Sequence, residues 1–134
     1  MKTSQCWSVL VLVGMIGCSA NMVGTEAAAR KFFDVEFQKW MAGEKNSVST
    51  MKSRVNLHQE PISYEIRSVV PDEPDFLAYD KSRELPKDWR SWPAFKLNVA
   101  IEWKSQVGTP LTNVTTYTLT WNADEKRWYV MERF

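Results

Sequence analysis

The stretch that decides the fold covers residues 95–134 and reads FKLNVAIEWKSQVGTPLTNVTTYTLTWNADEKRWYVMERF. It contains three runs of alternating apolar and polar residues, and two short turn signals separate these runs. A period of two is typical of half-buried strands, because successive side chains point to opposite faces of a sheet. Strands joined by such short turns are expected to pair antiparallel. The end of the chain is therefore predicted to form three neighbouring antiparallel strands.

The two faces of these predicted strands differ in polarity. The core face carries large apolar side chains, namely Phe95, Leu97, Val99, Ile101, Trp103, Tyr117, Leu119, Trp121, Trp128 and Val130. The outer face carries Thr116, Thr118 and Thr120 and is only mildly polar. Such a face can pair with its own copy, so a homodimer through the sheet face is one expectation and a solvated sheet is the alternative.

An amphipathic helix is predicted upstream of these strands. Thr25 is typical of a helix N-cap, and Gly43 is typical of the residue that follows a helix end. Apolar residues recur between them at helical spacing and predict one buried stripe. This stripe consists of Ala29, Phe33, Phe37, Trp40 and Met41. A second short helix is predicted over residues 46–55.

One more strand is predicted between the helix and the final hairpins. After Pro61, apolar and polar residues alternate again to about residue 70. Residues 71–94 hold four prolines and mixed charges, which argues against a central strand. We interpret this segment as a surface loop held down by its own aromatic side chains, and a hidden helical turn over residues 75–79 is the alternative.

This order of elements predicts an α+β domain in which an N-terminal helix packs on a curved four-stranded antiparallel sheet. The helix over residues 28–40 ends at Ala42-Gly43-Glu44, and the last hairpin, over residues 117–130, contains the pair Trp128-Tyr129. With these features the chain resembles the nuclear transport factor 2-like superfamily, which has a cystatin-like roll. Residues 25–134 are accordingly predicted to form a single roll domain.

The N-terminus has the pattern of an export signal. Lys2 supplies a positive start, and an apolar run of eleven residues follows over residues 7–17. As a helix this run would rise only about 16 Å, roughly half of a bilayer core of about 30 Å. A permanent membrane span is therefore not expected, and the run is predicted to be the hydrophobic part of a signal peptide.

The end of this run is similar to a bacterial lipobox. Its residues are Met15, Ile16, Gly17 and Cys18. The resemblance implies cleavage between Gly17 and Cys18, so that residues 1–17 form a lipoprotein signal peptide and Cys18 carries acyl chains such as palmitate. Each buried methylene of such chains contributes about 0.8 kcal/mol, so two or three chains hold a soluble domain at a membrane almost permanently.

Residues 18–24 are predicted to form a short tether to the folded domain. Ser19 follows the cysteine, whereas an aspartate there is typical of retention in the inner membrane, so the resemblance favours the outer membrane of the cell envelope. The alternative is an ordinary secretory signal cut near Ala20, after which Cys18 would be discarded. The only other cysteine, Cys6, lies within the signal, so no disulfide is expected in the mature domain.

Composition argues against several classes of function. Seventeen basic and sixteen acidic residues leave a net charge of +1, so no nucleic-acid partner is expected. The chain has a single histidine and none of the usual zinc spacings, so no metal or other cofactor is expected. Carboxylates at Asp72, Glu73 and Asp75 lack the calcium-loop pattern and are interpreted as solvated.

Five residues remain as candidates for a pocket or a recognition surface: His58, Tyr64, Trp89, Trp92 and Glu132. The superfamily resemblance implies a pocket between helix and sheet, and its enzymes place acid or base groups there. None of the five matches a catalytic motif, and each has a structural alternative. The two tryptophans would form either a recognition surface or a lid over the open end of the roll.

The sequence favours a membrane-anchored envelope lipoprotein that acts by binding a small apolar ligand or a neighbouring envelope protein. The alternative is a small isomerase- or dehydratase-type enzyme of the same superfamily.

Overall fold

The computed structural model describes residues 23–48, 60–105 and 108–133. In chain order the elements are α1 (Glu26–Met41), β1 (Pro61–Pro71), a single 3-10 turn (Trp89–Ser91), β2 (Ala94–Trp103), β3 (Leu111–Asn122) and β4 (Arg127–Arg133). The predicted α+β fold, one helix on a curled four-stranded antiparallel sheet, is confirmed. None of the helices in the described ranges has the length and apolar character that crossing a membrane requires.

Both ends of α1 follow from the residues that flank it. The Thr25 side chain accepts a hydrogen bond from the backbone N–H of Ala28 (3.2 Å), as predicted for an N-cap. At the other end Gly43 has a φ of +78°, in the left-handed region that favours glycine, and its N–H donates to the Trp40 carbonyl (3.0 Å). The helix is therefore closed at each end by the residue that the sequence indicates.

The apolar stripe of α1 faces the sheet, with two corrections. Ala29, Phe33 and Phe37 are fully buried, whereas Met41 is 38% exposed, so its place in the stripe was wrong. The stripe also includes a carboxylate, because Glu36 lies one turn from Phe33 on the same face and is only 8% exposed. The helix thus buries a charged group that the apolar pattern does not reveal.

The sheet is a meander in the order β1-β2-β3-β4, which leaves β1 and β4 as its two edge strands. Leu97 of β2 pairs with Tyr117 of β3, and Tyr117 pairs in turn with Glu132 of β4. Residues directly opposite each other share a face, so these rows continue across the sheet. The core cluster contains Ala29, Phe33, Phe37, Val48, Leu97, Val99, Ile101, Trp103, Tyr117, Leu119 and Val130.

The first strand departs from simple alternation at its start. The register with β2 shifts between Pro61 and Ser63, and Ile62 is 48% exposed there. A bulge inserts one extra residue into the strand and interrupts the alternation of inward and outward side chains. This interruption accounts for the exposure of Ile62. Tyr64 and Ile66, beyond the shift, pack against the core as predicted.

Residues 72–93 form a loop, as predicted, and polar contacts with β3 attach it to the sheet. The loop crosses the outer face of β3, where the Asp75 N–H donates to Thr120 Oγ1 (3.1 Å). The Thr118 hydroxyl donates to Asp72 Oδ2 (3.1 Å). Within the loop only Trp89–Ser91 is assigned as a helix, a single 3-10 turn. Over residues 75–79, the segment of the alternative, one isolated turn forms, in which the Ala78 N–H donates to the Asp75 carbonyl (2.9 Å).

This loop changes the character of the outer sheet face. Thr118 and Thr120 are fully buried beneath it, so the expectation that they face solvent was wrong. Asn122 is 1% exposed and donates through Nδ2 to the Ala78 carbonyl (2.9 Å). The homodimer through the sheet face stays a prediction for the part that the loop leaves open, where Val114 is 54% exposed.

The second predicted helix, over residues 46–55, lies mostly outside the described residues. Its first three residues are described and are not helical.

Candidate functional site

A cleft of about 550 Å³ lies between α1 and the edge strand β4. Its walls come from Phe32 and Glu36 of α1, from residues 45–47 after the helix, and from residues 127–131 of β4. Residues from both faces of β4 line the cleft, because it follows the outer edge of that strand rather than the interior of the sheet. Pockets that bind small molecules commonly have volumes of about 300–1,000 Å³, and the volume of this cleft lies within that range.

The apolar wall of the cleft is built around Trp128. This indole lies 6.4 Å from the Phe32 ring, 5.3 Å from Trp121 and 6.3 Å from Phe95, measured between ring centroids. Trp128 and Trp121 stand directly opposite each other on β4 and β3, so their large rings meet on the helix-facing side. Rings held by several aromatic neighbours form a rigid apolar surface.

Glu36 is the acidic residue beside this wall, and its carboxylate is bonded to other residues of the chain. Glu36 Oε1 accepts from the Ser47 N–H and from the Ser47 hydroxyl (3.0 Å each), and Oε2 pairs with the Lys39 ammonium at 2.9 Å. Burial alone would raise the pKa of Glu36, but these bonds from Lys39 and Ser47 outweigh it and lower the pKa. The carboxylate therefore fastens the segment after α1 to the helix and stays ionised near neutral pH.

Two cationic side chains stand at the mouth of the cleft. Lys45 is exposed and lies in the segment after α1, which is bonded to Glu36 through Ser47. The Arg127 guanidinium lies over the Tyr129 ring, 4.4 Å from its centroid, and its Nε is 3.4 Å from Glu125 Oε1. Lys39 pairs with Glu36 and Glu125 pairs with Arg127, so the net positive charge of the cleft lining rests on Lys45.

The candidates that the sequence singled out are not gathered in this cleft. Tyr64 lies on the opposite edge strand, β1, where its ring stacks on Phe37 (4.3 Å) and its hydroxyl donates to the Asp34 carboxylate. Burial and, after it, this carboxylate raise the pKa of Tyr64. Glu132 lies on β4 opposite Tyr117 and does not line the cleft. His58 and Cys18 lie outside the described residues.

The two loop tryptophans differ in burial. Trp92 is 4% exposed, and its backbone N–H donates to the Trp89 carbonyl (3.1 Å). Trp89 is half-buried beside Pro74, and the Arg90 guanidinium lies 4.6 Å from its ring centroid. The burial of Trp92 is that of a packed residue, while Trp89 is only half-buried. The interpretations as lid and as recognition surface both stay predictions.

One polar group on the core face has no hydrogen-bond partner among the residues that the structure describes. The Tyr117 hydroxyl is fully buried and receives no hydrogen bond from the described residues. Burial raises the pKa of Tyr117, and the nearby charge of Glu132 raises it further. The ring lies 5.0 Å from Phe33, so the tyrosine acts as a core aromatic residue that carries an unused hydroxyl.

The residues that line the cleft have only weak signals in the sequence. Trp128 was placed on the core face, but its position at a sheet edge follows only from the strand order. Phe32 lies next to the predicted stripe, and Lys45 lies outside every predicted strand and the first helix. Within the described ranges no cluster of three or more His, Cys, Asp or Glu residues is arranged to hold a metal ion.

No protein-family model matches the chain, and no curated protein and no solved structure matches it either.

Proposed function

We propose that the protein is a lipid-anchored component of the bacterial cell envelope, and that its domain binds a small apolar ligand in the cleft between α1 and β4. The observation that carries the binding role is the cleft itself, a volume of about 550 Å³ with the Trp128 ring in its wall. Binding of a neighbouring envelope protein is the alternative use of the same surface.

The anchor is supported by the N-terminal sequence. The apolar run over residues 7–17 ends at Gly17 and Cys18, in the arrangement of a lipobox. Ser19 favours sorting to the outer membrane. We expect protein extracted from bacterial membranes to begin at Cys18 and to carry the added mass of two or three acyl chains. A first residue beyond Cys18 would overturn the anchor.

The lining of the cleft indicates the chemistry of its ligand. The aromatic rings of Phe32 and Trp128 suit an apolar body. Lys45 and Arg127 stand at the mouth, and the carboxylate of Glu36 is already paired with Lys39. An apolar molecule with one acidic group would place its body against the rings and its charge beside the two cations.

Binding is favoured over catalysis because Tyr64 and Glu132, the candidate acid and base groups that the structure describes, do not converge. Tyr64 is bonded to Asp34 on β1, and Glu132 lies on the other edge strand. An isomerase or dehydratase would need such groups within hydrogen-bond reach of one substrate. The enzyme alternative therefore has less support than the binding role.

The test uses 8-anilinonaphthalene-1-sulfonate, an apolar dye with one anionic group. We expect saturable binding of one dye per chain to the native protein. Lys45→Glu should weaken this binding by about tenfold, equivalent to about 1.4 kcal/mol, because it places a negative charge beside the sulfonate. Lys104→Glu, at an exposed lysine after β2, is the matched control and should bind as the wild type does.

Equal binding by both variants would overturn the placement of the ligand in this cleft. Native mass spectrometry of protein purified from membranes then identifies the natural occupant. A retained small molecule supports the ligand, and a retained protein supports the alternative.

A further inference from the structure

The chain enters the folded domain at a fixed point at one end of the sheet. Gly24 has a φ of +76°, and a Cβ there would lie 3.0 Å from Pro93 and 3.4 Å from Trp121. Only glycine combines this backbone conformation with so close an approach. Pro93 directly precedes β2 and Trp121 is next to the last residue of β3, so the tether leaves the domain where these strands begin and end.

The same end of the sheet carries the loop over residues 72–93. The backbone N–H of Trp121 donates to the Pro93 carbonyl (2.8 Å). Trp89 begins the 3-10 turn that precedes Pro93. Phe76 follows Asp75, whose N–H is bonded to Thr120. We call this region the tether end and define it by Val23, Phe76, Trp89, Pro93 and Trp121.

Apolar surface is exposed at the tether end. Phe76 is 58% exposed and Val23 is 51% exposed, and the rings of Trp89 and Trp121 are half-buried. Tryptophan is typical of the boundary between lipid and water, and phenylalanine is typical of the apolar side chains that surface-bound segments insert there. A bilayer would cover this surface.

The length of the tether limits what can cover it. Gly24 is the sixth residue after Cys18, and six residues span at most about 20 Å when fully extended. A lipid anchor on Cys18 would therefore hold the tether end within that distance of the acyl chains. We propose that the tether end rests on the bilayer into which Cys18 is anchored, with Phe76 and Trp89 in the headgroup region.

This contact rests on the proposed lipid anchor and is apolar in character. Residues 72–93 contain six acidic and four basic residues, so the loop has no excess of positive charge to attract an anionic surface. The contact should therefore form on neutral phosphatidylcholine as well as on membranes that contain anionic lipid. It should also persist at high salt, which screens charge interactions.

The experiment uses single cysteines in the acylated full-length protein. Acylation blocks Cys18 and Cys6 is removed with the signal, so a cysteine introduced by Phe76→Cys is the only free thiol. Leu111→Cys is the matched control, because Leu111 is 53% exposed and begins β3 at the far end of the sheet. The ten residues of β2 separate the two ends by about 30 Å.

Each thiol is labelled with a small fluorophore, and the protein is inserted into phosphatidylcholine vesicles that contain a spin-labelled headgroup quencher. We expect loss of most of the fluorescence at position 76 and of almost none at position 111. Equal quenching at the two positions in protein of the acylated mass would overturn this contact and leave the anchor standing. Quenching that requires anionic lipid would also overturn it. An intact mass without acyl chains would overturn the anchor, and the contact with it.

Discussion

At the scale of single residues, two tyrosines on the core-facing side differ in what their hydroxyl groups contact. The Tyr64 hydroxyl donates to the Asp34 carboxylate, whereas the Tyr117 hydroxyl is buried without a partner among the described residues. A hydrogen bond that is made contributes about 1 kcal/mol to stability, and a buried group left unsatisfied costs about 1–3 kcal/mol. The same Tyr→Phe change should therefore have opposite effects at the two positions.

We expect Tyr117→Phe to raise the free energy of unfolding by about 1 kcal/mol, because it removes an unsatisfied buried hydroxyl and leaves the ring in place. Tyr64→Phe should lower it by about 1 kcal/mol, because it removes a hydrogen bond to a carboxylate. Urea denaturation of both variants measures the two values. A loss at Tyr117 as large as the loss at Tyr64 would show that its hydroxyl has a partner and would contradict this assignment.

Glu36 gives stability a pH dependence whose sign follows from its contacts. Hydrogen bonds from Lys39 and Ser47 hold the pKa of Glu36 below its ordinary value of 4.5 in the folded protein. A lowered folded pKa stabilises the fold at pH values above the unfolded pKa, and this stabilisation is lost as the pH falls through the folded pKa.

We expect the free energy of unfolding of the wild type to fall below about pH 4.5, and the fall to be smaller for Glu36→Gln. Glutamine keeps the shape of the side chain but does not ionise. Urea denaturation at several pH values between about pH 6 and pH 3 measures the free energy of unfolding of both proteins. Parallel curves for the two proteins would contradict the role of Glu36.

At the scale of elements, the attachment of the loop to β3 can be tested through Thr120. Its hydroxyl oxygen accepts the Asp75 N–H at 3.1 Å in a fully buried position. Thr120→Val keeps the shape of the side chain and leaves that N–H without an acceptor, which should lower the free energy of unfolding by about 1–3 kcal/mol. Amide hydrogen exchange at Asp75 should become faster at the same time.

Thr112→Val is the control for this change, because Thr112 lies on the same strand and is exposed. It should alter the free energy of unfolding by less than about 0.5 kcal/mol. If Thr120→Val were equally mild, the polar contacts of the loop with β3 would not be what holds it.

The regular elements were predictable because each repeats a short pattern. The buried positions Phe33 and Phe37 recur at the period of a helix, and Leu97 and Val99 at the period of a strand. The loop over residues 72–93 has no such period. Its contacts join residues far apart in sequence, as from Asp75 to Thr120, and alternation alone places Thr120 on a solvent face.

The cleft was not predictable for a related reason. Its two walls, Phe32 and Trp128, come from opposite ends of the chain and meet only because β4 is an edge strand beside α1. The sequence placed Glu132 on the face of Trp128, and its pairing with Tyr117 agrees with that face. Glu132 shares the face of Trp128 but does not lie in the cleft, because the lining of the cleft ends at residue 131 of β4.

At the scale of the whole molecule, the core is shared by elements from the entire described chain. Phe33 of α1 lies 5.0 Å from the Tyr117 ring of β3, and Leu97 of β2 and Val130 of β4 belong to the same cluster. Removing any one element would expose the apolar surface of the others. Such sharing is typical of a domain that unfolds in one step.

We therefore expect one cooperative transition in which tryptophan fluorescence and far-ultraviolet circular dichroism have the same urea midpoint. The tryptophans lie at both ends of the sheet, so fluorescence reports on the whole fold. Two separate midpoints would show that α1 or the loop unfolds independently of the sheet.

Glu125, in the turn between β3 and β4, bonds to residues that are far apart in the sequence and are therefore synthesised at different times. Its carboxylate accepts from the Asp80 N–H (2.8 Å), from Asn122 Nδ2 (3.2 Å) and from the Tyr129 hydroxyl. Asp80 is synthesised 45 residues before this acceptor exists. The Asp80 N–H therefore gains this acceptor only when the last hairpin has been made. A premature stop codon after Asn122 would remove the final strand and the Glu125 carboxylate, and would leave the loop over residues 72–93 with its bonds to Thr118, Thr120 and Asn122.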